Sequence, residues 1–328
     1  LLGAEVAVAN QGTTNVEAYN EFLRGNYFLE HTSADNLSRA VEAYESAIAK
    51  DPEFARAYAG LAIAQQQTFA GWASSSSGDF IRNFEIMRET VDKAVALAPD
   101  DPDVLIAKTM ANLFVDWNLP AALEVTERAL QIDPNNTIVL GWHGSNLMFA
   151  RRFAEAEQAT LKAAELDPLS LSPLRALGDI YTTSGQCDKA IVTYERALSM
   201  SPDSGRFYGR MARCRLFQND IEAARRFNAQ EPVAWVRETN DLIIMGRENP
   251  GAAWEAAVAA YEERYGFGNS YQMAEIFADA GNLDKTFEWL GHTARVRDPG
   301  APWAMIMPFF EEAWRDPRFD EYRARFGL

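Results

Sequence analysis

The sequence predicts an all-α solenoid assembled from stacked helix pairs. The first observation is a series of prolines that each follow an apolar helix end: Pro52, Pro99, Pro134, Pro168 and Pro202, spaced 47, 35, 34 and 34 residues apart. The second is an alanine five residues before each of them, at Ala47, Ala94, Ala129, Ala163 and Ala197. The third is a further alanine series at Ala40, Ala122, Ala156, Ala190 and Ala224, whose last four members keep a step of 34. Self-similarity at a fixed period of this length marks an array of supersecondary units that cannot bury their apolar faces singly and must stack.

The unit LGDIYTTSGQCDKAIVTYERALSMSP, residues 177–202, shows why the spacing has this form. Two antiparallel helices, A and B, approach most closely where the side chains are small, at Gly178, Ala190 and Ala197, so that their ridges can mesh. Leu174, Leu177, Tyr181 and Tyr194 fill the space around those contacts. Pro202 stops helix B and opens the next helix, where its missing N–H costs nothing. This pattern resembles the tetratricopeptide repeat, with Leu177 and Gly178 at repeat positions 7 and 8, Tyr181 at 11, Ala190 at 20, Tyr194 at 24, Ala197 at 27 and Pro202 at 32. It departs from the family at position 4, where Leu174 replaces the usual Trp. The resemblance implies a right-handed superhelix of about eight helix pairs.

Taken in order, residues 1–14 read as a linker from an upstream element. Residues 15–232 hold six clear units, 233–300 hold two degenerate pairs, and 301–328 form a C-terminal cap. The first unit carries a three-residue insertion near HTSADNLSRA. The second carries thirteen extra residues around AGWASSSSGDF, residues 70–80, either a plain surface loop or a lid anchored by Trp72 and Phe80. The third has one extra residue near DWNLP, which leaves the register of its A helix open. The sixth keeps Met211, Ala212 and Ala224 in register, but its B helix ends early at QEPVAW. The looser pairs are expected at 233–246 with 251–265 and at 270–280 with 283–296. In the tail, Trp303, Phe309, Phe310, Trp314, Phe319 and Tyr322 are expected to form a cap core that covers the exposed face of the last helix.

Three further stretches resemble the C-terminal repeat region of bacterial signalling proteins: TTNVEAYNEFLRGNYFLEH, NLSRAVEAYESAIAKDPEFARAYAGLA and GNLDKTFEWLGHTARVRDPG followed by the closing DPRF and FGL. In those proteins a winged-helix transcriptional regulator or a class III adenylate cyclase precedes the repeats, often with a membrane span between. The resemblance implies a sensory or partner-binding role, and a place beyond the membrane if that span is present, otherwise in the cytoplasm. It carries over neither DNA binding nor cyclase activity, since no motif of either is in these 328 residues.

Composition narrows the classes further. The net charge is −16, and no basic stripe is present to replace phosphate counterions, so nucleic acid is not an expected partner. No apolar run approaches a membrane span. Cys187 and Cys214 are neither a CxxC pair nor a disulfide framework, and leave the redox compartment open. His31, His143 and His292 lie in separate units without a second ligand at helical spacing, so no metal is expected. GWHGSN lacks the strand and spacing of a nucleophile elbow, and YGFGNS lacks the Lys of a phosphate loop. Glu311 and Glu312 are exposed helix charge. Neither an enzyme activity nor a cofactor is predicted.

The family resemblance implies a concave face lined by A-helix positions 2, 5, 9, 12 and 13, where a partner peptide lies. On this register Tyr19, Phe22 and Asn26 face the groove from the first unit, and Arg56 and Gln66 from the second. Ser145 and Met148 face it from the fourth, Arg175 and Asp179 from the fifth, and Arg206 and Arg213 from the sixth. Arg175, Arg206 and Arg213 would converge on one stretch of an acidic molecule. There they either receive an acidic or C-terminal segment of a partner, since Arg forks suit carboxylates, or pair internally with Asp179, Asp220 and neighbours. The family's Lys/Asn carboxylate clamp is not matched, because Phe22 stands where its Lys would be. The expected role is a protein-interaction or sensory module, with self-association possible. Alternatives are a small-molecule sensor or a stand-alone assembly scaffold.

Overall fold

The computed structural model describes residues 12–31, 33–68, 80–202 and 206–328, all of them helical or irregular. Among the described residues seventeen α-helices follow one another. Sixteen form eight antiparallel pairs: α1 (Val16–Glu30) with α2 (Ala34–Lys50), α3 (Ala55–Gln67) with α4 (Phe80–Leu97), α5 (Pro102–Met110) with α6 (Leu119–Ile132), and α7 (Thr137–Phe149) with α8 (Phe153–Leu166). They continue with α9 (Leu171–Thr183) and α10 (Cys187–Met200), α11 (Phe207–Phe217) and α12 (Ile221–Asn228), α13 (Ala234–Glu248) and α14 (Ala252–Tyr265), and α15 (Ser270–Asp279) and α16 (Leu283–Val296). Three 3-10 turns and α17 (Arg318–Ala324) close the chain. The fold is a helical-repeat solenoid.

The periodic small residues are the contact points. A Cβ at Gly25 would stand 2.6 Å from the Tyr44 ring, and a Cβ at Gly144 or Gly178 would collide with Thr160 or Tyr194. In all three units the glycine at repeat position 8 meets the side chain at position 24 of the paired helix. The tyrosines are then locked through their hydroxyls, which donate to the residue at position 9: Tyr44 to Asn26 Oδ1 (2.7 Å) and Tyr194 to Asp179 Oδ1 (2.8 Å). Tyr44, Tyr194, Ala40, Ala190 and Ala197 are fully buried. The Tyr194 ring has no room to retreat, so Gly178→Ala is expected to cost about 1–3 kcal/mol through overpacking. Gly141, on the same kind of helix, would have an open Cβ. Gly141→Ala should therefore stabilise by about 0.5–1 kcal/mol through helix propensity alone. Urea unfolding of the two variants checks the opposite signs.

The irregular units have local causes. The extra residue of the third unit is absorbed by a π-turn at Ala111–Val115, where the Asp116 amide bonds back five residues to Ala111 O (3.0 Å). Trp117 follows with φ 55°, and the Asn118 side chain caps α6 by accepting from Ala121 N. In the sixth unit α12 is only eight residues long and is capped by Asp220. The insertion at 70–80 lies outside the described residues except for Phe80, which starts α4 and is buried in the core. The upstream linker falls outside them up to residue 11, as does Thr32 of the first insertion.

The tail does more than cover α16. It crosses the concave side and reaches helices far back in the chain. Trp117 stacks on Phe326 (4.8 Å between centroids), and the Leu119 amide donates to Phe326 O (3.3 Å). Arg297 donates to Val115 O (3.1 Å) and lies over the Trp117 ring. Arg151 donates to Met305 O (3.1 Å) and lies over the Trp314 ring at 4.3 Å. Phe149 packs edge-on to Trp303, and Phe217 packs on Phe309. These contacts join the tail to units three, four and six and close the solenoid upon itself. One large core cluster consequently runs from Ala55 to Phe326. Phe309, Phe310, Phe319 and Tyr322 are buried in the core, and the partly buried Trp303 and Trp314 pack against it, Trp303 also lining the concave side.

Candidate site: an arginine-lined cavity on the concave face

The closure leaves a cavity of about 280 Å³, bounded by A helices of pairs two and four to eight and by the tail. Seven of the expected groove residues meet there: Gln66, Ser145, Met148, Arg175, Asp179, Arg206 and Arg213. The other four belong elsewhere. Tyr19, Phe22 and Asn26 sit in the first pair, and Phe22 is not a groove residue at all. It is buried against Tyr44 and Phe54 in the core of that pair. Arg56 is tied to Asp101 (2.8 Å) and Asp103 at the start of α5.

The charges of the cavity are unevenly matched. Arg213 is committed: its two terminal nitrogens donate to both oxygens of Glu275 (2.8 Å each) and its Nε to Asn240 (3.2 Å). It is therefore paired internally, one of the two alternatives the sequence left open, though with Glu275 and not with Asp179 or Asp220. Asp179 accepts from Arg210 Nε (2.8 Å) as well as from Tyr194. Asp220, the other expected partner, caps α12 and takes no arginine among the described residues. Glu231 is almost wholly buried, and its carboxylate accepts the backbone amides of Arg206, Gly209 and Val233. Arg175 makes no hydrogen bond or ion pair among the described residues, yet it lines the cavity.

Burial, and then the charge of Arg210, push the Arg175 pKa below the ordinary guanidinium range, with Asp179 and Tyr194 opposing. Burial and the charges of Arg210 and Arg175 push Arg206 down to about 9. A guanidinium keeps its proton under these conditions, so the downward shifts of Arg175 and Arg206 express chiefly the poor solvation of the space, with the like charges of neighbouring arginines adding to it. An anion entering the cavity would relieve that repulsion.

Arg210 and the tail residues escape a reading of the sequence by repeat position. Arg210 lies outside the five groove positions, although its spacing of four from Arg206 and three from Arg213 puts all three on one helix face. Trp235, Tyr271, Asp298 and Trp303 enter the cavity from the degenerate pairs and the tail, where the register fades. The buried Asp298 carboxylate is held by Ser270 Oγ and the amides of Tyr271 and Gly300, and so pins the tail to α15.

Other chemistry-bearing side chains lie outside the cavity. His143 shares a hydrogen bond with Thr126 Oγ1 (2.9 Å) and lies in a shallow cleft between α6, α7 and α8. Cys187 and Cys214 are free, buried thiols in a core cluster of α9, α10 and α11. A hydrogen bond that the Cys214 thiol donates to Cys187, and burial, push the Cys214 thiol far above its usual range. Among the described residues no group of three or more His, Cys, Asp or Glu side chains could hold a metal ion. Nor is any described helix long and apolar enough to cross a membrane.

Known proteins give the same architecture. Residues 29–68 and 181–230 each match a tetratricopeptide-repeat family model. Superkiller protein 3 of Schizosaccharomyces pombe is 25% identical over 195 residues, which cover 57% of this chain and 13% of that protein. The chain thus spans a small part of the length of that relative. Human IFIT1, solved as a dimer with m7Gppp-AAAA, superposes with a TM-score of 0.56 at 14% identity, over 85% of this chain and 72% of that one. Yeast Tom70 gives 0.49 at 17% identity, over 94% and 64%. At 14% identity the likeness to IFIT1 shows the fold alone.

Proposed function

We propose that this tetratricopeptide-repeat chain is a non-catalytic recognition module that takes an acidic segment of a partner protein on its concave face. The repeat fold supports a protein-interaction or scaffold role. The observation that carries the polarity of the partner is Arg175, a cavity-lining guanidinium near Asp179 that makes no hydrogen bond or ion pair among the described residues, in a chain whose net charge is −16. Long-range repulsion from the acidic surface would otherwise disfavour an acidic partner, so the discrimination rests on this local site. Its place within a bacterial signalling protein follows from the resemblance of the opening and closing stretches.

Fluorescence anisotropy with three labelled peptide pools, acidic, neutral and basic, tests the reading. The acidic pool is expected to bind, and Arg175→Glu to weaken it at least tenfold. Equal binding of the basic pool, or an unchanged affinity in the variant, overturns it. A second reading, small-molecule sensing, is favoured by the closure of the tail over the cavity, which leaves room for a compact group and not for a long extended peptide.

A further inference from the structure

We propose that Cys187 and Cys214 are an oxidisable pair, a site where a small peroxide converts two thiols into a disulfide that ties α10 to α11. The pair lies outside the concave cavity and does not depend on what that cavity binds.

The placement of the two sulfurs carries the proposal. The sequence holds two cysteines, twenty-seven positions apart, so one disulfide is possible within the chain. Cys187 is the first residue of α10, and Cys214 lies in the last turn of α11. The two helices are packed neighbours, the second helix of unit five and the first of unit six. Both thiols are free and belong to one core cluster with Ala190, Ile191 and Met211. The Cys214 thiol donates to Cys187 across the interface, so the sulfurs already meet. Joining them needs little backbone movement, which is the condition for an unstrained disulfide.

The two sulfurs differ in reach and reactivity. Cys214 is fully buried, with Thr182 Oγ1 3.3 Å from its sulfur. Cys187 is 3% exposed, at the rim of the core between the exposed Gly185 and Asp188. A helix N-terminus and a neighbouring cation both favour thiolate. Cys187 has both, because it opens α10 and because Arg215, bonded to Asp188 (3.1 Å), stands close by. The hydrogen bond from Cys214 holds the Cys187 pKa below the usual thiol range, with burial and Asp188 opposing and Arg215 assisting. Cys187 is therefore the sulfur that reacts first.

The Cys187 thiolate attacks one peroxide oxygen and the O–O bond breaks. Cys187 becomes a sulfenic acid, and the departing hydroxide takes up the proton that Cys187 shed, as water. Cys214 then gives up its proton, its sulfur attacks Cys187, and the S–OH bond breaks to release a second water. Each sulfur loses one electron and the peroxide gains two. External thiols restore the pair by exchange. The disulfide ties unit five to unit six and restricts the unfolded chain, which stabilises the fold.

Hydrogen peroxide treatment of the whole wild-type chain tests this, followed by alkylation in denaturant and peptide mapping without reductant. Exposure is set to oxidise N-acetylcysteine fully in the same buffer. A peptide joining Cys187 to Cys214 is expected within single chains. Dithiothreitol should remove it, and the shift in melting temperature that dithiothreitol reverses should be upward. Dimedone, which traps sulfenic acids, tests the order. Cys214→Ser should be trapped at Cys187, and Cys187→Ser should be labelled at Cys214 at least tenfold less. The proposal is overturned if both cysteines are recovered as alkylated thiols, if the disulfide joins two chains, or if the reversible shift is downward. Equal trapping in the two variants overturns the assigned order. The mapping needs no variant, so it stands even where a serine unfolds the chain.

Discussion

Glu275→Ala is expected to destabilise the protein by about 3–5 kcal/mol. The Glu275 side chain is fully excluded from solvent, and its partner Arg213 is 12% exposed. Their bidentate pair joins α15 to α11 across 62 residues, at the floor of the concave side. Removing the carboxylate leaves a guanidinium in a poorly hydrated space with Arg210 repelling it and only Asn240 to accept from it. The cost is chiefly that stranded charge and not the intrinsic worth of the pair. The double variant Arg213→Met with Glu275→Leu should accordingly recover most of the loss, because neither charge then needs compensation. Urea unfolding of the three proteins measures both effects. A loss below about 1 kcal/mol in the single variant would mean that water reaches the pair as it reaches surface ion pairs.

Phe326→Ala is expected to cost a comparable 3–5 kcal/mol, and to do so at a distance. Phe326, the third-last residue of the sequence, is completely buried and stacked on Trp117. The Leu119 amide at the start of α6 donates to its carbonyl. The truncation opens a cavity between the tail and the third unit. Amide exchange should then accelerate across 102–132 as well as across 301–328, since both ends of the closure share one core. In an open array, where each unit touches only its neighbours, 102–132 would stay protected. Exchange mapping separates the two outcomes.

The helix pairs were legible in sequence because their determinants are local and repeat. Gly178 and Tyr194 sit sixteen residues apart, and the same geometric demand returns at Gly25 with Tyr44 and Gly144 with Thr160. A constraint that recurs every 34 residues writes itself into the chain as a period. Even the irregular third unit announced its extra residue, although only the structure showed that a π-turn absorbs it. Phe22 misled because repeat position alone does not say which way a side chain turns. In the first unit its ring turns into the space beside Tyr44 and Phe54.

What the sequence determined by itself is the all-α solenoid and its helix pairs; that Arg175 and Arg206 share one face was implied by the family resemblance. The tertiary structure alone decided that the solenoid closes, that Arg213 is spent on Glu275, and that the concave side narrows to a cavity walled by tryptophans. The reason is one of range. Closure joins Trp117 to Phe326 and Arg151 to Met305, contacts that occur once and recur nowhere else. They depend on the small rotation between successive pairs, summed over the array, and no window of the sequence states that sum.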